Sequence, residues 1–338
     1  MGVPIVPEAV LLEQDKSTDT PARHEAQTCP LCATPGPRFW LRAPDRFHGR
    51  RKPYTLARCS DCSLVWLVDP PRPGEMHLHY TDAYHKLIAA AGESSPARWK
   101  FRKETVASFR QAGTLLDLGC SSGSFLECFR DGNWRLFGIE MSAENAQKAE
   151  ATTGAQVFTG DILGATFPPE SFDVITCFDV LEHLYEPRRV MARVAEWLKP
   201  GGNFYVLIPN IDSAEARVFG TYWHGLELPR HLFHYCPESL TALAQSVGLH
   251  TLMLKTRRNP AVGTSMRYLW DDVLASIGIL RIPVAYKARP GLIWRATRKL
   301  VRMTILQLLL GMASLAGGGE SIHAVFQKPA AARLPELS

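Results

Sequence analysis

The chain is 338 residues long, 46% hydrophobic and 21% charged, which excludes wholesale disorder, a collagen repeat and a disulfide scaffold. At about 150 residues per domain, this length suggests about two domains. A net charge of +5, from 38 Lys+Arg against 33 Asp+Glu, does not by itself call for nucleic acid.

No signal peptide is expected, because the stretch 1–12 lacks a basic start and carries Glu8 among its apolar residues. Val6 stands where N-myristoylation wants Ser or Thr. Four of the cysteines are paired and four (Cys120, Cys128, Cys177, Cys236) are scattered, which fits a reducing, cytoplasmic compartment. The chain reads as a polar tail over 1–27, a small cysteine-bearing module over 28–84 and a linking helix over 85–112. A larger domain follows over 113–330, with a helical insertion at 260–318, and a tail over 331–338 closes the chain.

Within the module, Cys29-Pro-Leu-Cys32 and Cys59-Ser-Asp-Cys62 are two knuckles whose thiolates can converge on one ion. Four sulfurs make the closed tetrahedral set of a structural zinc site, with iron the main rival. The 26 residues between the pairs include Phe39, Trp40, Tyr54 and Leu56, enough for a hairpin over the metal. With no open coordination position, the site is assigned to stability. Arg38, Arg42, Arg46, Arg50, Arg51, Lys52 and Arg58 face only Asp45 in this segment. That imbalance reads as a solvated surface, with a phosphate-bearing partner as the alternative.

From Gly113 onward, short apolar runs alternate with helical stretches, the pattern of a parallel sheet built from βα units. The expected strands are 114–118, 135–139, 155–158, 173–177, 203–208, 250–254 and 321–327. In Leu115-Leu-Asp117-Leu-Gly119-Cys120-Ser-Ser-Gly123, an apolar strand ends in an acid, a Gly-bounded turn follows, and a helix is expected next. Three residues separate the glycines and no third glycine completes a pyrophosphate fingerprint, so the turn suits a ligand without pyrophosphate. Asp117 favours a cationic one. The second strand ends at Glu140-Met141, where a carboxylate can accept from both ribose hydroxyls. The third is followed by Gly160-Asp161-Ile162, where a carboxylate can take an adenine amino group.

With Phe178-Asp-Val-Leu-Glu182-His183 after the fourth strand and Leu198-Lys-Pro-Gly-Gly202 before the fifth, the stretch 117–210 resembles a class I S-adenosylmethionine-dependent methyltransferase. The resemblance implies an α/β fold with a seven-stranded Rossmann-like sheet and an antiparallel last strand. It implies that Asp117, Gly119, Cys120 and Gly123 line the methionine part of the cofactor and Glu140 and Met141 the ribose. Asp161 and Ile162 would meet the adenine, and Phe178 the near face. The N-terminal zinc-ribbon module narrows the resemblance to bacterial sugar and secondary-metabolite methyltransferases, and zinc-ribbon rRNA methyltransferases share the layout.

Methyl transfer to a hydroxyl needs a base near neutrality. Residues 222–235 supply Tyr222, His224, Glu227, Arg230, His231 and His234 where this fold places substrate loops. In the resembling sugar C-methyltransferases a Glu-His pair acts here; His231 matches the histidine, but Arg230 replaces the glutamate. That departure favours O-methylation, or an anionic substrate held by Arg230. His231, Tyr222 and His183 are the candidate catalytic residues. Asp179, Glu182 and His183 also resemble a set that holds a divalent cation in some methyltransferases, with plain cleft lining the simpler reading.

In the insertion, Lys287, Arg289, Arg295, Arg298, Lys299 and Arg302 lead into an apolar run over 303–315, too short to span a membrane. Residues 287–315 are expected to pack on the domain or on a second copy, with peripheral contact to the inner membrane face as the alternative. The expectation is a cytoplasmic methyltransferase acting on a hydroxyl of a small-molecule acceptor, such as a nucleotide- or lipid-linked sugar. The rivals are an RNA methyltransferase docking through the basic ribbon and a non-catalytic binding protein of the same fold. RNA base amino methylation is disfavoured because no N-P-P-Y-type signature follows strand four.

Overall fold

A computed structural model describes residues 28–46, 52–81, 84, 96–258, 262–276, 312 and 318–330. The two tails, Arg50, Arg51 and nearly all of the basic and apolar run over 287–315 lie outside these residues.

Each of the seven expected strands forms, and their apolar content explains why. The strands are β4 (Gly113–Leu118), β5 (Trp134–Glu140), β6 (Gln156–Thr159), β7 (Phe172–Phe178), β8 (Leu198–Pro209), β10 (His250–Arg257) and β11 (Ser321–Gln327). They run in the order β10-β11-β8-β7-β4-β5-β6. Leu115, Leu116, Leu118, Ile175, Cys177, Phe204, Val206 and Ile208 are buried, as central strands covered on both faces require. Only β11 is antiparallel to its neighbours, β8 and β10. β8 begins earlier than expected, its Lys-Pro-Gly-Gly stretch being drawn into the sheet by a Gly201 N–H bond to the Lys328 carbonyl.

Helices lie between the strands, the clearest 3.6-residue pattern being that of Pro187–Trp197. Helix α1 (Pro96–Phe109) precedes β4. Helix α2 (Ala143–Thr153) is capped by Ser142, whose side chain accepts from Asn145 N, and ends at a left-handed Gly154. Helix α3 (Pro187–Trp197) buries Val190, Met191, Val194 and Trp197 on one face. Helices α4 (Ala214–Phe219), α5 (Pro237–Gln245) and α6 (Val262–Ser276) follow. The turn after β4 leads into a short 3-10 turn, Leu126–Phe129, rather than the α-helix expected there.

The module contributes β1 (Arg38–Pro44), β2 (Pro53–Arg58) and β3 (Val65–Leu67), antiparallel in sequence, so the expected hairpin is β1–β2. Its sheet is completed by β9 (Phe233–His234), a strand of the larger domain, which pairs with β3. The cores merge as well. Leu56, Val65 and Leu67 pack with Ile211, Phe219, Trp223 and Leu232, whereas Cys29, Ala57 and Trp66 join the core around Val194 and Ile208. No helix among the described residues is long and apolar enough to cross a membrane.

Candidate active site and metal centre

Strand order reverses between β4 and β7, so their carboxyl ends open the crevice in which a parallel α/β sheet takes ligands. Gly119 has φ +70°, and a Cβ there would meet Val180 Cγ2 at 2.5 Å. Gly123 has φ +84°, and a Cβ there would lie 2.9 Å from Ala149 Cα. Both turn positions thus require glycine. Glu140, at the end of β5, accepts from Ser142 N (2.8 Å) and from Ser121 N (2.9 Å), which fixes its carboxylate beside the turn.

Asp117 is buried and accepts from Thr176 Oγ1 at 2.7 Å. Burial pushes its carboxyl up to about 7, against the opposing pull of Thr176 and the Arg102 guanidinium. Glu140 adds to the upward shift, so the two acids flank one crevice. Cys120 supports the turn from within: its Sγ lies where a Cβ of Gly138 would come within 2.6 Å. Ile162 likewise turns its side chain into the core, leaving only its backbone for a ligand. Asp161 caps the following turn by accepting from Leu163 N at 2.8 Å, and Met141 is 74% exposed at the rim. Phe178 packs edge-on against Phe125 and Tyr205.

Sequence reasoning missed Arg102. Helix α1 carries it over the crevice, 3% exposed, with Nη2 bonding Asp179 Oδ2 at 3.1 Å. Its guanidinium lies 4.5 Å from the Phe178 ring and 4.9 Å from the Trp99 ring. Its buried Nε has no partner among the described residues. A motif scan that starts at β4 does not reach a residue on the preceding helix.

Beyond Asp179, the 3-10 turn Leu181–His183 meets the segment before β9. His183 Nδ1 lies 3.0 Å from the Arg230 carbonyl and His231 Nδ1 lies 2.9 Å from that of Gly225. Carbonyls only accept, so each Nδ1 carries the proton and each Nε2 a lone pair. His234 donates from Nε2 to the Leu226 carbonyl at 3.0 Å. Burial lowers the proton affinity of all three, His231 well below the usual range and His234 to about 4. The His183 and His231 rings stand 4.6 Å apart. Next to them Glu182 is buried, neither oxygen has a partner among the described residues, and burial drives its carboxyl well up.

Two expectations are corrected here. Arg230 is not available to an anionic substrate: it is 1% exposed, with Nη1 3.4 Å from Asp45 Oδ2 and Nε 3.3 Å from Glu227 Oε1. A glutamate does face His231 from four residues earlier in the chain: Glu227 Oε2 lies 3.6 Å from His231 Nε2. Glu227 holds a strained left-handed conformation, φ +37°, and accepts from Tyr84 Oη at 2.6 Å. The candidate cation set also changes: ligand atoms of Glu182, His183 and His231 lie within 4.8 Å of one another, whereas Asp179 is engaged by Arg102. Tyr222 lies under the Arg46 guanidinium, 4.1 Å from its ring centroid.

The four module cysteines converge. Cys29 Sγ lies 3.6 Å from Cys62 Sγ and Cys32 Sγ lies 3.5 Å from Cys59 Sγ. A tetrahedral ion with ~2.3 Å bonds needs sulfurs about 3.8 Å apart, so the set fits zinc. The basic surface around it is partly spent: Arg58 makes a two-pronged pair with Asp212 and Arg46 pairs with Asp272.

The family model that matches is described as a methyltransferase domain and spans residues 89–254. The chain is 29% identical over 175 residues to the ubiquinone biosynthesis O-methyltransferase of Ralstonia nicotianae, covering 46% of this chain and 74% of that protein. It is 31% identical over 153 residues to the protein of the same name from Paraburkholderia phymatum, covering 42% and 66%. A solved SAM-dependent methyltransferase from Archaeoglobus fulgidus matches with a TM-score of 0.49 at 15% identity, over 72% of this chain and 100% of that one.

Proposed function

Because the chain is a class I S-adenosylmethionine-dependent methyltransferase, we propose that it methylates a hydroxyl oxygen of a small molecule, with His183 as the base. The supporting observation is the pair of neutral imidazoles, half-buried His183 after β7 and buried His231 before β9, with Nδ1 of each tied to a carbonyl. The relatives' naming for ubiquinone biosynthesis favours a phenolic quinone precursor over the sugar suggested by the module.

S-adenosylmethionine, when bound, supplies a methyl group on a sulfonium. Glu140 would hold the ribose hydroxyls, Asp117 the ammonium and Arg102 the carboxylate, exchanging its pairing with Asp179 for the ligand. His183 Nε2 would take the proton of the acceptor hydroxyl, and the bound donor would supply the methyl group and leave as its thioether. The Glu227 carboxylate favours the imidazolium that results. The four thiolates would hold zinc as a structural ion.

The test is transfer of labelled methyl by the zinc-loaded chain to 3,4-dihydroxybenzoate or to a nucleotide hexose, with the product located by mass spectrometry. Label on a phenolic oxygen, lost by ~10²–10⁴-fold in His183→Ala, is expected. Label on carbon or nitrogen, or full turnover in the variant, overturns the reading.

The unpartnered Glu182 oxygens favour a second reading, in which Glu182, His183 and His231 hold a divalent cation that acidifies the acceptor hydroxyl. Turnover that rises when Mg²⁺ or Mn²⁺ is added to zinc-loaded, otherwise metal-free protein supports it. Turnover indifferent to those ions leaves His183 as the base.

A further inference from the structure

Resting on the reading that the acceptor meets His183 and His231, we infer that the four-cysteine module is a positioning element of the acceptor side. Its metal governs the order of that side more strongly than that of the cofactor side, which the module meets through a shared apolar core.

The backbone makes the first connection. Strand β3 begins three residues after Cys62, and Cys59 N bonds the Leu64 carbonyl at 2.9 Å, so the second knuckle sets where β3 starts. Val65 pairs with His234 and Trp66 with Phe233, and Leu67 N bonds the Leu232 carbonyl at 2.9 Å. Leu232 N in turn bonds the Glu182 carbonyl at 2.8 Å. A displacement of the knuckle therefore reaches the segment holding His231 and the turn holding His183 within two hydrogen-bonded steps.

Buried charge makes the second. Asp45, at the end of β1, pairs with Arg230, and both are buried. Arg230 donates to the His79 carbonyl at 3.2 Å and to Glu227, the carboxylate that faces His231 and accepts from Tyr84. Separating a buried pair of this kind leaves two uncompensated charges, so Arg230 and its loop follow Asp45.

The module meets the cofactor side through apolar packing: Cys29, Ala57, Cys59 and Trp66 share a core with Leu118, Ile139 and Ile162. The second core beneath that side comprises Val106, Leu115, Cys120, Phe125, Leu126, Phe129, Phe178 and their neighbours, with none of residues 28–81 in it. The module's other core, around Leu56, Val65 and Leu67, is shared with the segment 211–236, where hydrogen bonds and a buried ion pair add to the packing.

Cys32 is the exposed member of the four, so Cys32→Ser weakens the metal site at least cost to packing. In the full chain, hydrogen exchange of amides in 230–236 is expected to quicken by about tenfold or more, with 114–118 and 174–178 still protected. Affinity for S-adenosylhomocysteine, measured by calorimetry, should stay within about twofold. Asp45→Asn, which retains all four thiols, should produce a smaller change in the same segment. The inference is overturned if 230–236 stays protected in both variants, if protection is lost throughout the large sheet, or if cofactor affinity falls alongside it. Failure of the base assignment would be read separately, in the methyl-transfer assay of His183→Ala.

Discussion

At the cofactor end, the crevice is lined by turns lying within a few residues of the strands that carry them: Gly119 and Gly123 after β4, Glu140 closing β5, Asp161 after β6. At the acceptor end, the side chains come from Asp45, Tyr80, Tyr84, His183, Glu227, Arg230 and His231, stretches up to 186 residues apart (45 to 231) and joined by ion pairs and hydrogen bonds. One end is assembled by local chain geometry, the other by tertiary contacts. Substitutions at the first end should change cofactor affinity. Those at the second should change acceptor chemistry and local order while cofactor affinity stays fixed.

The hardest test of this division is Glu140→Ala. Its carboxylate would accept two charge-assisted hydrogen bonds from ribose, each worth ~1.5–3 kcal/mol, so affinity for S-adenosylhomocysteine should fall by about 10²–10⁴-fold in calorimetry. An affinity within threefold of the parent would remove ribose recognition from this residue. Next in size is Arg102→Met. The loss for S-adenosylhomocysteine should be about 10- to 100-fold, yet near zero for methylthioadenosine, which lacks the amino-acid carboxylate. Equal losses for the two ligands would mean that Arg102 merely supports the fold of α1.

The sequence made the first end legible because each of its motifs is contiguous. A strand ending in Asp117, a turn needing positive φ at Gly119 and an acid at the next strand end are all readable in order. All seven strands of the large sheet were readable from their apolar runs for the same reason. Arg102 was not, since nothing in the pattern of a helix says which of its residues hangs over a crevice. Glu227 was missed because a Glu-His pair was sought at adjacent positions, while the chain brings the two together across one turn. Nor does any local signal show that Phe233–His234 completes the module's sheet, because that pairing spans more than 160 residues (66 to 233). Arg230 is the instructive failure: as a residue type it suggested an anion-binding group, and burial between Asp45 and Glu227 turned it into a structural cation.

A smaller effect follows from Asp117. With its carboxyl raised to about 7 by burial, the free protein holds a proton there below that pH. A ligand bearing an ammonium group favours the ionised form, so binding releases that proton, and affinity should weaken by up to about tenfold per pH unit below 7. The sign for folding is the opposite: an acid whose folded value is raised costs stability as pH climbs from about 4 to about 7. Calorimetry at pH 6 in two buffers of different ionisation enthalpy should reveal the released proton. Asp117→Asn should abolish it, and a parent protein releasing none would separate Asp117 from the ammonium.

The smallest expected effect is the sharpest probe of the division. Tyr84 donates to Glu227 at 2.6 Å, and its ring lies 5.0 Å from the Arg230 guanidinium. Tyr84→Phe keeps the ring and removes only the donor, so the cost should be that of one hydrogen bond to a charged group, about 1.5 kcal/mol in urea unfolding. Glu227 would then be placed less firmly to favour the imidazolium formed on His183, and turnover should drop several-fold, with S-adenosylhomocysteine affinity unchanged because no part of the Glu140–Asp117–Arg102 crevice touches this bond. A shift in that affinity of fivefold or more would show that the two ends communicate through the acceptor loop, and the division between them would fail at its most conservative substitution.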